Sequence, residues 1–136
     1  MLPFARVAVI GMGLIGSSLT RAIRATMPTV HLTVHDADAG VRERVLALDL
    51  ADDVTDTPGA AVIDADLAIL ALPVLAMMKV AAAIRHDLPA GCVVSDTGSV
   101  KGSYEARMDL RFGYRALNKA VGVGQDTVSF KFQVRP

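Results

Sequence analysis

Three glycines near the start of the chain have the spacing that the binding of a dinucleotide requires. Segment 11–16 reads Gly-Met-Gly-Leu-Ile-Gly and directly follows a short apolar run. In such a turn from strand to helix, the first glycine permits the tight turn and the second lets a pyrophosphate approach the backbone. The third lets the helix lie close to the strand. The alternative is a glycine-rich turn without a ligand. The candidate cofactor-binding residues of this segment are Gly11, Gly13, Leu14, Ile15 and Gly16.

A carboxylate stands where such a site would need one. Asp36 lies twenty residues beyond Gly16, at the end of the next predicted strand. A carboxylate there accepts hydrogen bonds from the adenosine ribose and repels the 2′-phosphate of NADP. Because no arginine follows before Arg42, the sequence favours NAD over NADP. The alternative is that an aspartate here caps the next helix. Asp38 is better placed for capping, which leaves Asp36 free for the ribose.

Two later segments end predicted strands and complete the set of candidates. Leu72 and Pro73 end one strand, and Thr97 and Ser99 follow another. Ligands of open parallel sheets bind at the carboxyl ends of the strands, so Leu72, Pro73 and Thr97 are further candidate cofactor-binding residues. By chemistry alone, Thr97 or Ser99 is a helix cap. Either hydroxyl could also reach a bound nicotinamide or its substrate.

Strands alternate with helices along most of the chain. Short β-branched runs predict strands, and apolar residues at helical spacing predict the helices between them. The predicted strands cover 6–10, 31–35, 54–55, 67–72 and 92–95, and the predicted helices cover 14–26, 38–48, 58–63, 73–88 and 100–108. This alternation predicts an α/β fold of the Rossmann type, with a doubly wound parallel sheet.

Apolar residues at helical spacing mark the first two helices. Leu14, Ile15, Ser18, Leu19, Ala22 and Ile23 recur at this spacing in the first helix. The second helix has a predicted inner face of Val41, Val45 and Leu48. Met77 and Met78, in a later helix, could reach the adenine of a cofactor. Methionines at helical spacing are more often part of the core, which is the favoured interpretation.

The last 26 residues differ in charge and pattern from the rest. Segment 111–136 has a net charge of +4, against −4 for 1–110. Apolar and polar residues alternate over 128–134, which predicts one half-buried strand with no assigned partner. We therefore predict a dinucleotide-binding domain over 1–110 and a divergent tail over 111–136.

Composition excludes several classes of partner. Fourteen basic residues balance fourteen acidic ones, so there is no electrostatic reason to expect nucleic acid or an anionic membrane. The single cysteine, Cys92, cannot form an internal disulfide and is expected to be buried. The first residues lack the pattern of a signal peptide, and no apolar run approaches the ~20 residues of a membrane span. We therefore expect a cytoplasmic protein.

The motifs together resemble those of the prephenate dehydrogenases, a family that includes the arogenate, or cyclohexadienyl, dehydrogenases. The resemblance rests on segments 11–19, 64–74 and 95–102. The last of these reads Ser-Asp-Thr-Gly-Ser-Val-Lys-Gly and is the most specific. The resemblance extends from residue 4 to about 108.

The resemblance implies an enzyme that carries out the NAD-dependent oxidative decarboxylation of a small molecule, prephenate or arogenate, in tyrosine biosynthesis. It assigns Ser99 a catalytic position beside the nicotinamide and the substrate hydroxyl. It also implies a homodimer and a helical domain that completes the substrate site.

The chain departs from the family after Ser99. The family's catalytic base is a histidine in a His-Pro motif, but segment 120–126 reads Ala-Val-Gly-Val-Gly-Gln-Asp. We therefore expect a chain truncated or frame-shifted near 108–111 that binds NAD without turnover. The alternatives are a stand-alone NAD-binding or redox-sensing module, and a different dehydrogenase acting on a small hydroxy or imino acid.

Overall fold

The computed structural model describes residues 4–97 in detail, apart from the side chain of Val74, and the backbone of two short strands at 115–116 and 131–133. Ser99 and the helix predicted over 100–108 lie outside the described residues.

A parallel sheet forms the centre of the described chain. Its strands are β1 (Arg6–Ile10), β2 (His31–His35), β3 (Asp53–Thr55), β4 (Leu67–Leu70) and β5 (Val93–Asp96). They pair in parallel in the order β3-β2-β1-β4-β5. The order runs outward in both directions from β1, so the described chain has the predicted doubly wound α/β fold. β4 ends two residues before the predicted Leu72, and β5 is shifted by one residue from the predicted 92–95.

Helices connect the strands, and two of them begin at a side chain that accepts backbone hydrogen bonds. They are α1 (Leu14–Thr26), α2 (Ala39–Ala47), α3 (Pro58–Val62) and α4 (Val74–Ile84). Asp38 caps α2, as predicted, by accepting from the backbone N–H groups of Gly40 and Val41. Thr57 caps α3, with Pro58 in its first turn. These caps fix where the chain leaves the strand before each helix.

The two faces of the sheet carry separate cores. Ala8 and Ile10 of β1 belong to the cluster that includes residues of α3 and α4. Val7 and Val9 point to the other face, where Ile23 and Val45 represent α1 and α2. The strands are therefore apolar on both sides, as expected for parallel strands covered by two layers of helices.

The buried face of α1 is set by Gly16, and that of α2 differs from the prediction at Leu48. The buried residues of α1 are Gly16, Thr20 and Ile23. Leu14 and Ile15 are 87% and 55% exposed. Gly16 must face the sheet because it lies against the end of β1, and this contact sets the rotation of the helix. On α2, Val45 is buried as predicted, but Leu48 is exposed.

The tail contributes two short antiparallel strands to the sheet. β7 (Lys131–Gln133) pairs with β5, and β6 (Arg115–Ala116) pairs with β7. β7 lies within 128–134, where alternation predicts a strand, and its partner is the edge of β5. The sheet of the described residues is therefore mixed rather than entirely parallel.

Candidate functional site

Two of the three motif glycines are required by the backbone packing itself. Gly11 has φ +97°, a conformation that side chains disfavour, and a Cβ there would overlap the carbonyl oxygen of Ala71. A Cβ at Gly16 would overlap the carbonyl oxygen of Gly11. The N–H of Gly11 donates to the carbonyl of His35 at 2.8 Å, which joins the end of β1 to the end of β2. The loop is thus fixed between two strands and α1.

Gly13 differs from the other two because the space above it is open. A Cβ at Gly13 would meet no atom of the described residues within 4 Å, and its φ of −68° is one that any residue adopts. Gly13 is the N-cap of α1, and no side chain caps that helix in the part of the chain described. The first turn of α1 therefore presents uncapped N–H groups and the positive end of the helix dipole to open space.

As predicted, Asp36 does not cap α2, but its carboxylate already accepts two backbone hydrogen bonds. Its Oδ2 accepts from the N–H of Met12 at 2.8 Å, and its Oδ1 accepts from the N–H of Asp38 at 2.9 Å. The carboxylate therefore holds the glycine loop as well as the start of the turn into α2. A carboxylate can accept about four hydrogen bonds, so Asp36 keeps capacity for hydroxyl donors. It is half-buried at the edge where Gly13 is exposed.

Arg42 lies much closer to Asp36 than the sequence suggested. Its Nη1 donates to the carbonyl of Asp36 at 2.9 Å and to that of Ala37 at 3.2 Å. Its Nε lies 3.7 Å from Oδ1 of Asp56. The first turn of α2 brings the guanidinium back to the end of β2. The prediction that no arginine is near Asp36 is therefore wrong. The sequence did contain a signal for the contact, because Arg42 lies in the first turns of the helix that Asp38 caps.

The segments after β4 and β5 end at the same edge as the glycine loop. The N–H of Ala71 donates to the carbonyl of Ile10, and the N–H of Thr97 donates to that of Leu70. Leu72 is half-buried against the core, and Pro73 is exposed at the N-cap of α4. Thr97 is half-buried at the end of β5. The structure thus places all the described candidates on one edge of the sheet.

The methionines of α4 belong to the core. Met77 is 1% exposed, and Met78 packs against the same cluster. The favoured interpretation of these residues is confirmed, and neither is needed to explain the site.

The histidines and the cysteine of the described residues lie away from this edge or are buried. Nε2 of His31 lies 2.7 Å from Oδ2 of Asp53, at the opposite end of β2. Nδ1 of His35 lies 2.8 Å from the carbonyl of Thr55, and the side chain is buried. His86 is exposed in the turns after α4. Burial raises the pKa of the Cys92 thiol to about 11, so it is not a nucleophile at neutral pH.

Comparison with known proteins identifies the family. The profile of the prephenate dehydrogenase nucleotide-binding domain matches residues 19–116, which is most of the chain. The chain belongs to this family. A cyclohexadienyl dehydrogenase of Zymomonas mobilis is 48% identical over 103 residues. That alignment covers 76% of this chain and 35% of the relative, so the chain spans about a third of the relative's length.

Solved structures of the family have the same fold. Prephenate dehydrogenase from Aquifex aeolicus, in complex with hydroxyphenyl propionate and NAD⁺, superimposes with a TM-score of 0.72 at 21% identity. That match covers 80% of this chain and 38% of the other. Synechocystis arogenate dehydrogenase gives a TM-score of 0.70 at 21% identity, over 85% of this chain and 42% of the other. In the described part of this chain, no helix is long and apolar enough to cross a membrane.

Proposed function

We propose that this chain binds NAD as the nucleotide-binding part of an enzyme of the prephenate or arogenate dehydrogenase type. One observation carries the proposal: the uncapped N-terminus of α1 opens at Gly13 on the same sheet edge as the carboxylate of Asp36. Membership of the family supports the same assignment. A dinucleotide needs this combination, because its pyrophosphate accepts hydrogen bonds from N–H donors and its ribose hydroxyls donate to a carboxylate.

The glycine loop would hold the pyrophosphate. Open space above Gly13 allows a phosphate to approach the backbone, and the first turn of α1 supplies N–H donors. Gly11 and Gly16 keep the loop in this conformation. Leu14 and Ile15 are exposed beside the opening and would cover the dinucleotide with apolar contacts.

Asp36 would bind the adenosine ribose. Its two oxygens each accept one backbone N–H, which orients the carboxylate and leaves lone pairs for the ribose hydroxyls. Its charge disfavours a 2′-phosphate, so NAD is preferred over NADP. Leu72, Pro73 and Thr97, which lie along the same edge, would line the remainder of the cofactor.

The reaction assigned to the complete enzyme is the oxidative decarboxylation of prephenate or arogenate. NAD, when bound, accepts the hydride that leaves the substrate ring. Ser99 follows β5 by three residues and is proposed to contact the substrate hydroxyl beside the nicotinamide. Orientation of the substrate against the cofactor needs further residues, because the chain spans 35% of the length of its relative.

The proposal is tested by adding bulk at Gly13. In Gly13→Val, the Cβ enters space in which no atom of the described residues lies within 4 Å, so we expect the midpoint of thermal unfolding to change by only a few degrees. NAD affinity, measured by calorimetry, should fall at least about tenfold, because the added carbons occupy the phosphate position. Ala25→Val, at the exposed far end of α1, is the matched control and should bind NAD normally. Absence of NAD binding by the unmodified chain would contradict the proposal.

A further inference from the structure

Arg42 places a cation at the end of β2 without neutralising the carboxylate there. Its Nη1 donates to the backbone carbonyls of Asp36 and Ala37. The guanidinium therefore lies beside the backbone of the residue that carries the carboxylate. Arg42 forms no ion pair with the Asp36 carboxylate, whose two oxygens accept from backbone N–H groups. The Asp36 carboxylate and the Arg42 guanidinium thus lie at the same end of β2 but bind different partners.

The guanidinium is held in place but retains donors for a ligand. Two carbonyls orient it, and its side chain is only 20% exposed. Its one ion-pair partner among the described residues is Asp56, at 3.7 Å, and that side chain is 93% exposed. Such a pair is weak and easily exchanged. Nη2 makes no hydrogen bond in the described part of the chain. An arginine of this kind suits a phosphate, which it can bind through two parallel hydrogen bonds.

We infer that Arg42 is a cofactor-specificity residue whose guanidinium binds the 2′-phosphate of NADP once the Asp36 carboxylate is removed. The inference rests on the proposed function, because it needs the adenosine ribose to lie at Asp36. In the unmodified chain the carboxylate occupies the position next to the ribose and repels the phosphate. Asp36 then sets the preference for NAD, although the Arg42 cation beside it favours NADP.

A purely structural role for Arg42 gives a different expectation. If the guanidinium only fastens the turn between β2 and α2, Arg42→Ala should lower stability and weaken NAD and NADP equally. The inference requires instead that Arg42→Ala lower the affinity for NADP alone, and that it do so in variants that lack the Asp36 carboxylate. The two roles are therefore separated by the ratio of the two affinities rather than by either affinity alone.

The experiment measures NAD and NADP binding by calorimetry for a set of variants of the full 136-residue chain. Asp36→Ala should shift the affinity ratio toward NADP. Adding Arg42→Ala should reduce NADP affinity by roughly 10- to 100-fold, the range for hydrogen bonds to a charged group, and leave NAD affinity within about twofold. Adding Arg44→Ala, an exposed arginine of the same helix, is the matched control and should change neither. The NADP affinity of Asp36→Ala should also fall more steeply with added salt than its NAD affinity.

Asp36→Asn provides a second background, because it keeps an acceptor oxygen for the glycine loop if the alanine variant is unstable. In either background, equal NADP affinity with and without Arg42 would overturn the inference while NAD binding by the unmodified chain left the proposed function standing. Failure of the unmodified chain to bind NAD would instead contradict the proposed function itself.

Discussion

The two edges of the parallel sheet use polar residues in opposite ways. At the amino edge, carboxylates are satisfied by nearby backbone: Asp66 accepts from the N–H groups of Ala5 and Arg6, and Asp52 accepts from that of Leu32. At the carboxyl edge, Asp36 is also anchored, but the N–H groups at the start of α1 remain uncapped. The named carboxylates of the amino edge are therefore satisfied by nearby backbone, and the carboxyl edge keeps N–H donors for a ligand.

The largest expected effect concerns turnover at the carboxyl edge. Under the proposed function, the 136-residue chain assayed alone should form no NADH from prephenate or arogenate. No histidine follows His86, and the described histidines of β2 are engaged elsewhere. Loss of a general base alone costs about 10²- to 10⁴-fold in rate. Absorbance at 340 nm, beside NAD binding by calorimetry, checks this. Turnover at an ordinary dehydrogenase rate would show that the edge already carries a base.

A second prediction concerns the packing that keeps the glycine loop in place. Gly16→Ala should lower the free energy of unfolding by about 1–3 kcal/mol or more, because the new Cβ overlaps the Gly11 carbonyl and backbone must move. NAD binding should be lost with it. Denaturant unfolding and calorimetry measure the two effects. Ala22→Gly, at an exposed position of α1, serves as control for a helix-propensity change and should retain NAD binding. Full binding by Gly16→Ala would show that the loop is not fixed by this contact.

The smallest expected effect is at the amino edge. The Leu32 N–H, assisted by Arg24 at 3.1 Å, lowers the pKa of Asp52 despite a smaller opposing effect of burial. A lowered folded-state pKa stabilises the protein above the unfolded pKa, and this contribution is lost as pH falls through the folded value. Asp52→Asn should therefore cost a few tenths to about 1 kcal/mol near pH 7, since the pair is partly exposed.

Urea unfolding at pH 7 and at about pH 3 tests this prediction. The difference between Asp52→Asn and the unmodified chain should shrink at the lower pH, because the contribution of the charged carboxylate begins to be lost below the ordinary aspartate pKa and is lost fully only below the lowered folded-state value. Asp49→Asn is the control, because Asp49 is exposed, forms no ion pair in the described residues, and has a φ of 52° that asparagine tolerates. NAD affinity should not change in either variant, since both lie away from Gly13. A pH-independent difference would mean that the charge of Asp52 does not matter.

The sequence predicted local structure better than side-chain placement. The bounds of β1 and α1 and the Asp38 cap were predicted correctly, because strand composition and capping are local properties. The exposure of Leu14 and Ile15 follows from the contact of Gly16 with Gly11, which sets the rotation of α1 and which helical spacing does not reveal. Arg42 was missed for a related reason: its neighbours are backbone carbonyls, which leave no trace in side-chain patterns.

The site candidates differed in the same way. The glycine loop and Asp36 were located correctly on one sheet edge by spacing alone, since parallel strands bring their carboxyl ends together. The hydrogen bond from the N–H of Met12 to Asp36 could not be predicted, because spacing does not reveal hydrogen bonds to a loop from another strand. The tail illustrates the limit further: alternation predicted a strand, but only the pairing shows that it lies on β5.

The position of the tail strands has a consequence for association between copies of the chain. An open, apolar strand edge promotes pairing with other molecules. β7 occupies the edge of β5, and the edge beyond it in the described residues is the two-residue β6. On the other side, β3 has three residues and begins at Asp53, whose side chain is 60% exposed. Both margins of the sheet are thus short, and one carries charge, which leaves little backbone available for a neighbouring chain to extend the sheet.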